Sequence, residues 1–132
     1  MGVVYAVRRY TLRWSGDWEY QTVYKRVQWV WRTREEAEQD VDRAYFEQAL
    51  ELVDDTWLAN ATAYYASDDE FRRLCDAWDI PIEVDAGLPE ALVQKVQQLD
   101  FVMTIEQARS VVDIFKPIEV EEIPIGFTPT IQ

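Results

Sequence analysis

The sequence predicts an α+β fold: an N-terminal antiparallel β-hairpin packed on a long α-helix, followed by three shorter helices with short extended segments. Three observations lead there. Residues 3–14 and 20–31 are rich in Val, Tyr, Trp and Thr and flank Ser15-Gly16-Asp17, which places β-formers on both sides of a short Gly-containing turn. No Gly or Pro then interrupts the chain from Asp17 to Ile80. Finally, residues 67–85 and 104–121 repeat one pattern, a helical stretch that ends before proline and continues as an extended segment.

The hairpin comes first. A three-residue loop at Ser15-Gly16-Asp17 sets Trp14 opposite Trp18 and the charges of Arg13 and Glu19 opposite each other. In that register Val3, Tyr5, Val7, Val23, Val27, Trp29 and Trp31 share one face, expected against the following helix. Arg8, Tyr10, Trp14, Trp18, Tyr20, Tyr24 and Arg26 share the other. Trp14 and Trp18, near the turn, are expected to stay accessible.

Thr33-Arg34-Glu35-Glu36 then reads as a capping box opening the long helix. It should run from about Arg34 to at least Val53, break near Asp54-Asp55-Thr56, and resume to Tyr65. Ala37, Val41, Tyr45, Phe46, Ala49, Leu50, Leu52 and Val53 cover more than half its circumference. Glu36, Asp40, Glu47, Glu51 and Asp54 fall on one narrow stripe, about 27 Å long at 1.5 Å per residue.

In the repeat, Ser67 matches Thr104 and Glu70 matches Gln107, so each copy opens with a capping box. Arg72 matches Arg109, Asp76 matches Asp113 and Trp78 matches Phe115, and after one gap both copies read Pro-Ile-Glu-Val. Between them, Leu88-Pro89-Glu90 starts a helix with proline in its first turn, running to about Leu99. The tail alternates Ile123, Ile125 and Phe127, and its prolines confine it to an edge strand or an extended arm. The expected organisation is a single domain over 1–132, divided into a basic aromatic hairpin (1–32), an acidic-edged helix (33–66), duplicated helix–strand units (67–121) and a C-terminal arm (122–132).

Charge is distributed unevenly. The net charge is -12 over 132 residues. Yet residues 1–34 hold seven Lys/Arg against two Asp/Glu, and residues 35–132 hold six against twenty-three. This asymmetry predicts either attraction within the molecule or two surfaces for two partners. The segment 9–32 is both cationic and aromatic, a composition that suits single-stranded nucleic acid. Direct nucleic-acid binding is nonetheless disfavoured, because a strand would have to tolerate the acidic remainder.

Several classes of chemistry lack their residues. Histidine is absent and Cys75 is the only cysteine, which removes the commonest general acid–base group, Cys-cluster metal sites and any intramolecular disulfide. Cys75 shares a helix face with Phe71, Leu74 and Trp78 and reads as a buried thiol. Asp68-Asp69-Glu70 resembles a metal cluster, but first-turn carboxylates are explained by capping and the helix dipole. The four glycines are isolated, so no phosphate-binding glycine loop is present. No metal and no cofactor is expected. The opening MGVVYAVRRY meets charge at Arg8, too early for a signal-peptide hydrophobic region. The uncharged run TWLANATAYYAS is too short to span a bilayer. A cytoplasmic protein without a membrane anchor is expected.

The function these residues favour is non-enzymatic binding to another protein with a basic surface. In its sharper form the chain is an inhibitor or nucleic-acid mimic occupying a basic, nucleic-acid-handling site on that partner. The expected partner-binding residues are Glu36, Asp40, Glu47, Glu51, Asp54, Trp14 and Trp18. One alternative is a structural subunit of a larger assembly, homo-oligomeric or mixed, joined through the hairpin edge or the C-terminal arm. A carboxylate-only enzyme is the other.

Overall fold

A computed structural model describes residues 2–17, 19–81 and 87–126. The fold is α+β, about 50% helix and 19% strand. The chain runs through β1 (Gly2–Val7), β2 (Tyr10–Trp14), β3 (Tyr20–Tyr24), α1 (Arg34–Gln39), α2 (Val41–Val53), α3 (Thr56–Tyr65), α4 (Asp68–Trp78), α5 (Leu88–Gln97), α6 (Ile105–Val112) and β4 (Val120–Ile125).

The predicted hairpin forms only in its inner half. β2 and β3 pair antiparallel from Tyr10↔Tyr24 to Trp14↔Tyr20. This register differs by two residues from the expected one, so Arg13 lies opposite Gln21 and not Glu19. The turn decides it. Gly16 adopts φ +87°, and Ser15 closes the loop by donating its N–H to Glu19 O at 2.9 Å. A surface charge pair contributes too little to override that geometry.

In the outer half the second strand bulges away, and the C-terminal segment adds to the opposite edge of β1. β1 leaves the hairpin at Arg8-Arg9 and pairs with β4, from Gly2↔Ile125 to Val7↔Val120. One remnant of the original ladder survives on its other edge, where Tyr5 and Trp31 exchange backbone bonds of 2.8 and 2.7 Å. β4 is therefore an edge strand, the position that tolerates Pro124.

The expected facing holds only in part. Ala6 and Tyr10 are buried, whereas Trp29 is 68% exposed. Tyr10 anchors the hairpin in the core: its N–H donates to Gln48 Oε1 at 2.9 Å and its hydroxyl to Val112 O at 3.0 Å. Parity counted from the turn cannot anticipate a strand that changes sheets.

The long helix is broken twice. Thr33 caps α1, its Oγ1 accepting from Glu36 N at 3.2 Å. Asp40 then closes a tight turn onto Ala37 O, an interruption the periodicity does not reveal. The break at Asp54-Asp55 falls as predicted, and Asp55 caps α3 by accepting from Trp57 N at 2.6 Å. α2 buries Ala44, Tyr45, Gln48, Ala49, Leu52 and Val53, while Leu50, expected inside, is 46% exposed.

Of the three predicted capping boxes, two are complete, Ser67 with Glu70 and Thr104 with Gln107; at Thr33 the Glu36 carboxylate accepts from the Thr33 hydroxyl and not from the backbone N–H. The two repeat helices lie against each other. Trp78, fully buried, donates its Nε1–H to Gln107 O and Ser110 Oγ, both at 3.1 Å, and stacks on Phe101. The extended segment of the second copy is β4, and that of the first lies largely outside the described residues. The core gathers Tyr10, Leu52, Leu74, Trp78, Leu92, Val111, Val112 and Ile118 from the hairpin, four helices and the segment before β4.

Candidate docking surface

α3 is built from small residues, and this decides what it exposes. Ala59, Ala61 and Thr62 are buried, which lets the helix approach α5 closely. The opposite side carries Trp57, Asn60 and Tyr64, all exposed and spaced as one stripe. Trp57 is 66% and Tyr64 77% exposed. Seven residues apart, they span about 10 Å along the axis.

The stripe continues onto the hairpin through a chain of aromatic contacts. Tyr64 meets Tyr65 edge-on at 5.3 Å between centroids. Tyr65 turns inward, packs on Phe115 at 5.9 Å, and its hydroxyl oxygen accepts from the Tyr20 N–H at 2.9 Å. Tyr20 in turn meets Trp14 edge-on at 5.1 Å, and Trp14 is 44% exposed. A cleft of about 560 Å³ opens beside this chain, walled by Tyr20, Thr22, Tyr65, Ile114 and Phe115. Asp55 lies close enough that, after burial, its charge is the next cause holding the Tyr20 phenol above its ordinary pKa.

The seven residues expected to bind a partner are thereby separated. Trp14 and Asp54 border this aromatic surface, Asp54 by its place between α2 and Asp55. Trp18 lies outside the described residues. Glu47 and Glu51 face the basic hairpin and are engaged by it. Arg9 Nη2 and Arg43 Nε each reach Glu47 at 3.0 Å, and Lys25 Nζ reaches Glu51 at 2.5 Å. Asp40 is half-buried in the turn between α1 and α2. Glu36 is exposed on α1, beyond the break that interrupts the stripe. The cations of residues 1–34 that form ion pairs do so with carboxylates further along the chain, Arg8 with Glu121 and Arg34 with Glu122 among them. Of the two meanings the charge asymmetry allowed, attraction within the molecule is the one the ion pairs display.

Trp57 and Tyr64 were not singled out by the sequence. In the sequence the run TWLANATAYYAS registers only as too short to span a bilayer, and its uncharged composition gives no periodicity that separates an exposed side from a buried one. Its alanines, not its aromatics, do the packing.

Other candidates have structural roles. Glu70 accepts from Ser67 N at 2.9 Å within its capping box. Among the described residues no group of three or more Asp, Glu, Cys or His is placed to hold a metal ion. Cys75 is buried beside Leu74 and Trp78 in the core. Among the same residues no helix is long and apolar enough to cross a membrane. In comparisons with protein-family models, with curated proteins and with solved structures, nothing matches this chain.

Proposed function

We propose that this chain is a non-enzymatic protein-binding domain. It docks a basic partner protein through Trp14, Trp57 and Tyr64, with Asp54 and Asp55 at their border. The observation that carries it is the exposure of Trp57 and Tyr64 on a single side of a helix that buries Ala59, Ala61 and Thr62. Large aromatics gathered on a surface are the commonest anchors of protein interfaces, and a water-exposed apolar stripe is tolerated where a partner covers it. The cleft beside Tyr65 offers a partner side chain a place to insert. The Asp54 and Asp55 carboxylates at the border favour a basic rim on the partner and speed the encounter.

This shifts the expected interface from the middle of the acidic stripe to its C-terminal end. Strand addition at β4 is disfavoured, because Pro124 lacks an N–H and Glu121 and Glu122 lie along the strand. In the sharper form the partner's basic surface is one that handles nucleic acid, and the acidic border stands in for phosphates.

The test is affinity capture from the native host, followed by kinetics with the captured partner. Trp57→Ala and Tyr64→Ala should each weaken binding by about tenfold or more through faster dissociation. Asp54→Asn should slow association and flatten its salt dependence. A partner that binds the double Trp57→Ala/Tyr64→Ala variant like wild type overturns the proposal. A short DNA duplex that displaces the chain from the partner supports the sharper form, and simultaneous binding of duplex and chain refutes it.

A further inference from the structure

The surplus of residues 26–30 leaves an opening in the hairpin ladder. Beyond Tyr24 the ladder continues one step, Lys25 donating its N–H to Arg9 O at 2.9 Å. The next pairing is Tyr5 with Trp31. Between these two points residues 6–8 on one side face residues 26–30 on the other, so the second strand carries two surplus residues. Residues 26–30 make no backbone hydrogen bond among the described residues. A groove of about 650 Å³ occupies the gap, floored by the start of α2.

Its lining contradicts the charge of the whole molecule. Arg8, Arg9, Lys25, Arg26 and Arg43 surround it, against Asp40 and Glu47 alone. Most of the cations are held in place: Arg9 and Arg43 converge on Glu47, Lys25 holds Glu51, and Arg8 pairs with Glu121 while its guanidinium lies 4.7 Å from the Tyr24 ring centroid. Arg26 is exposed and makes no ion pair among the described residues. The buried Nε groups of Arg8 and Arg9 have no acceptor. Trp29, 68% exposed and edge-on to Trp31 at 5.9 Å, stands at the same groove.

We propose that this groove binds a small nucleotide of the nucleoside diphosphate class, its base on Trp29 and its phosphates among Arg8, Arg9 and Arg26. Three features choose that class. Guanidinium forks suit phosphate oxygens, and their ion pairs preorganise them. An exposed tryptophan contributes nothing to a simple anion but offers a stacking face to a base. The volume fits a mononucleotide, whereas a strand leaving the groove would run onto a surface where residues 35–132 carry twenty-three carboxylates. The site is independent of the protein-docking surface on α3.

The test is titration of the full chain with ADP, followed by tryptophan fluorescence and calorimetry. Adenosine, inorganic pyrophosphate and an eight-nucleotide oligothymidylate serve as separate arms. ADP should bind saturably with a Kd of about 0.01–1 mM, and adenosine or pyrophosphate alone about tenfold or more weaker. Arg26→Ala and Trp29→Ala should each weaken ADP about tenfold at unchanged melting temperature, and Arg72→Ala on α4 should not. Absence of saturable ADP binding up to about 10 mM overturns the proposal. So does pyrophosphate binding as tightly as ADP, the oligonucleotide binding more tightly than ADP, or a Trp29→Ala variant that binds like wild type.

Discussion

Neutralising the acidic stripe should split it into two groups with opposite effects on stability. Glu47→Gln with Glu51→Gln removes one carboxylate shared by Arg9 and Arg43 and another that holds Lys25. Two of these three pairs, Arg9–Glu47 and Lys25–Glu51, tie the hairpin to α2. The Glu47 and Glu51 side chains are 48% and 35% exposed, so each pair is screened by solvent and contributes about 0.2–1 kcal/mol. Together they amount to about 1–2 kcal/mol, with some tenths returned by lowering the net negative charge. For a chain of this size that corresponds to a fall in Tm of about 3–8 °C. Glu36→Gln with Asp54→Asn removes the same formal charge from side chains without an ion pair among the described residues, and stability should stay level or rise slightly. Urea unfolding at about 20 mM and about 500 mM NaCl separates the two cases, because the loss in the first variant should shrink as salt screens its pairs. Equal destabilisation by both variants, or no loss in the first at low salt, refutes the assignment of Glu47 and Glu51 to hairpin docking.

Other consequences follow from burial and hydrogen bonding. Trp78→Ala should cost about 3–5 kcal/mol, since the ring is fully buried, whereas Trp29→Ala should cost less than about 1 kcal/mol; denaturant unfolding of the two variants checks the contrast. Ser67→Ala and Thr104→Ala should each cost about 1 kcal/mol through loss of a capping box, read in the same assay. Burial, followed by the bond donated to Asp113, pushes the Tyr45 phenol from 10.0 up to about 12. The folded state therefore keeps a proton that the unfolded chain loses, so this stabilisation is complete below pH 10 and disappears as pH rises toward about 12. Unfolding measured from neutral to alkaline pH should show Tyr45→Phe with a shallower alkaline decline than wild type.

The parts of the fold legible in the sequence are those set by local chemistry. Ser67, Thr104 and Asp55 cap helices where their side chains demand it, and Pro89 opens α5 from its first turn. Each of those signals is complete within four residues. The hairpin's outer half was not legible, because β4 adds to the opposite edge of β1 from more than a hundred positions away, while residues 26–30 bulge out of the hairpin ladder. Ala6 and Tyr10 turn inward and Trp29 outward, although most side chains there are good strand formers. The exposed aromatics were partly legible. The accessibility of Trp14 followed from its nearness to the turn, while Trp57 and Tyr64 were hidden in a helix without charge. Whether such a helix buries its aromatics or its alanines depends on how closely its neighbour approaches, and sequence periodicity carries no measure of that distance.

The arrangement of the strands bears on the distribution of charge. A two-stranded sheet is marginal in water, and the described residues form two of them. Each is held to the helices or to its partner strand by apolar anchors such as Tyr10 and by ion pairs between early cations and late carboxylates. A basic first quarter is thus a requirement of assembly before it is an instrument of binding. The cations gathered at the opened ladder outnumber the carboxylates beside them, because Glu51 and Glu121 reach in from outside the groove. α2 joins both surfaces: Arg43 and Glu47 floor the groove at one end, and Asp54 borders the aromatic stripe at the other. Between them Tyr45, Ala49, Leu52 and Val53 are locked in the core, so the helix is a rigid spacer that keeps a basic site and an acidic one apart on a small molecule.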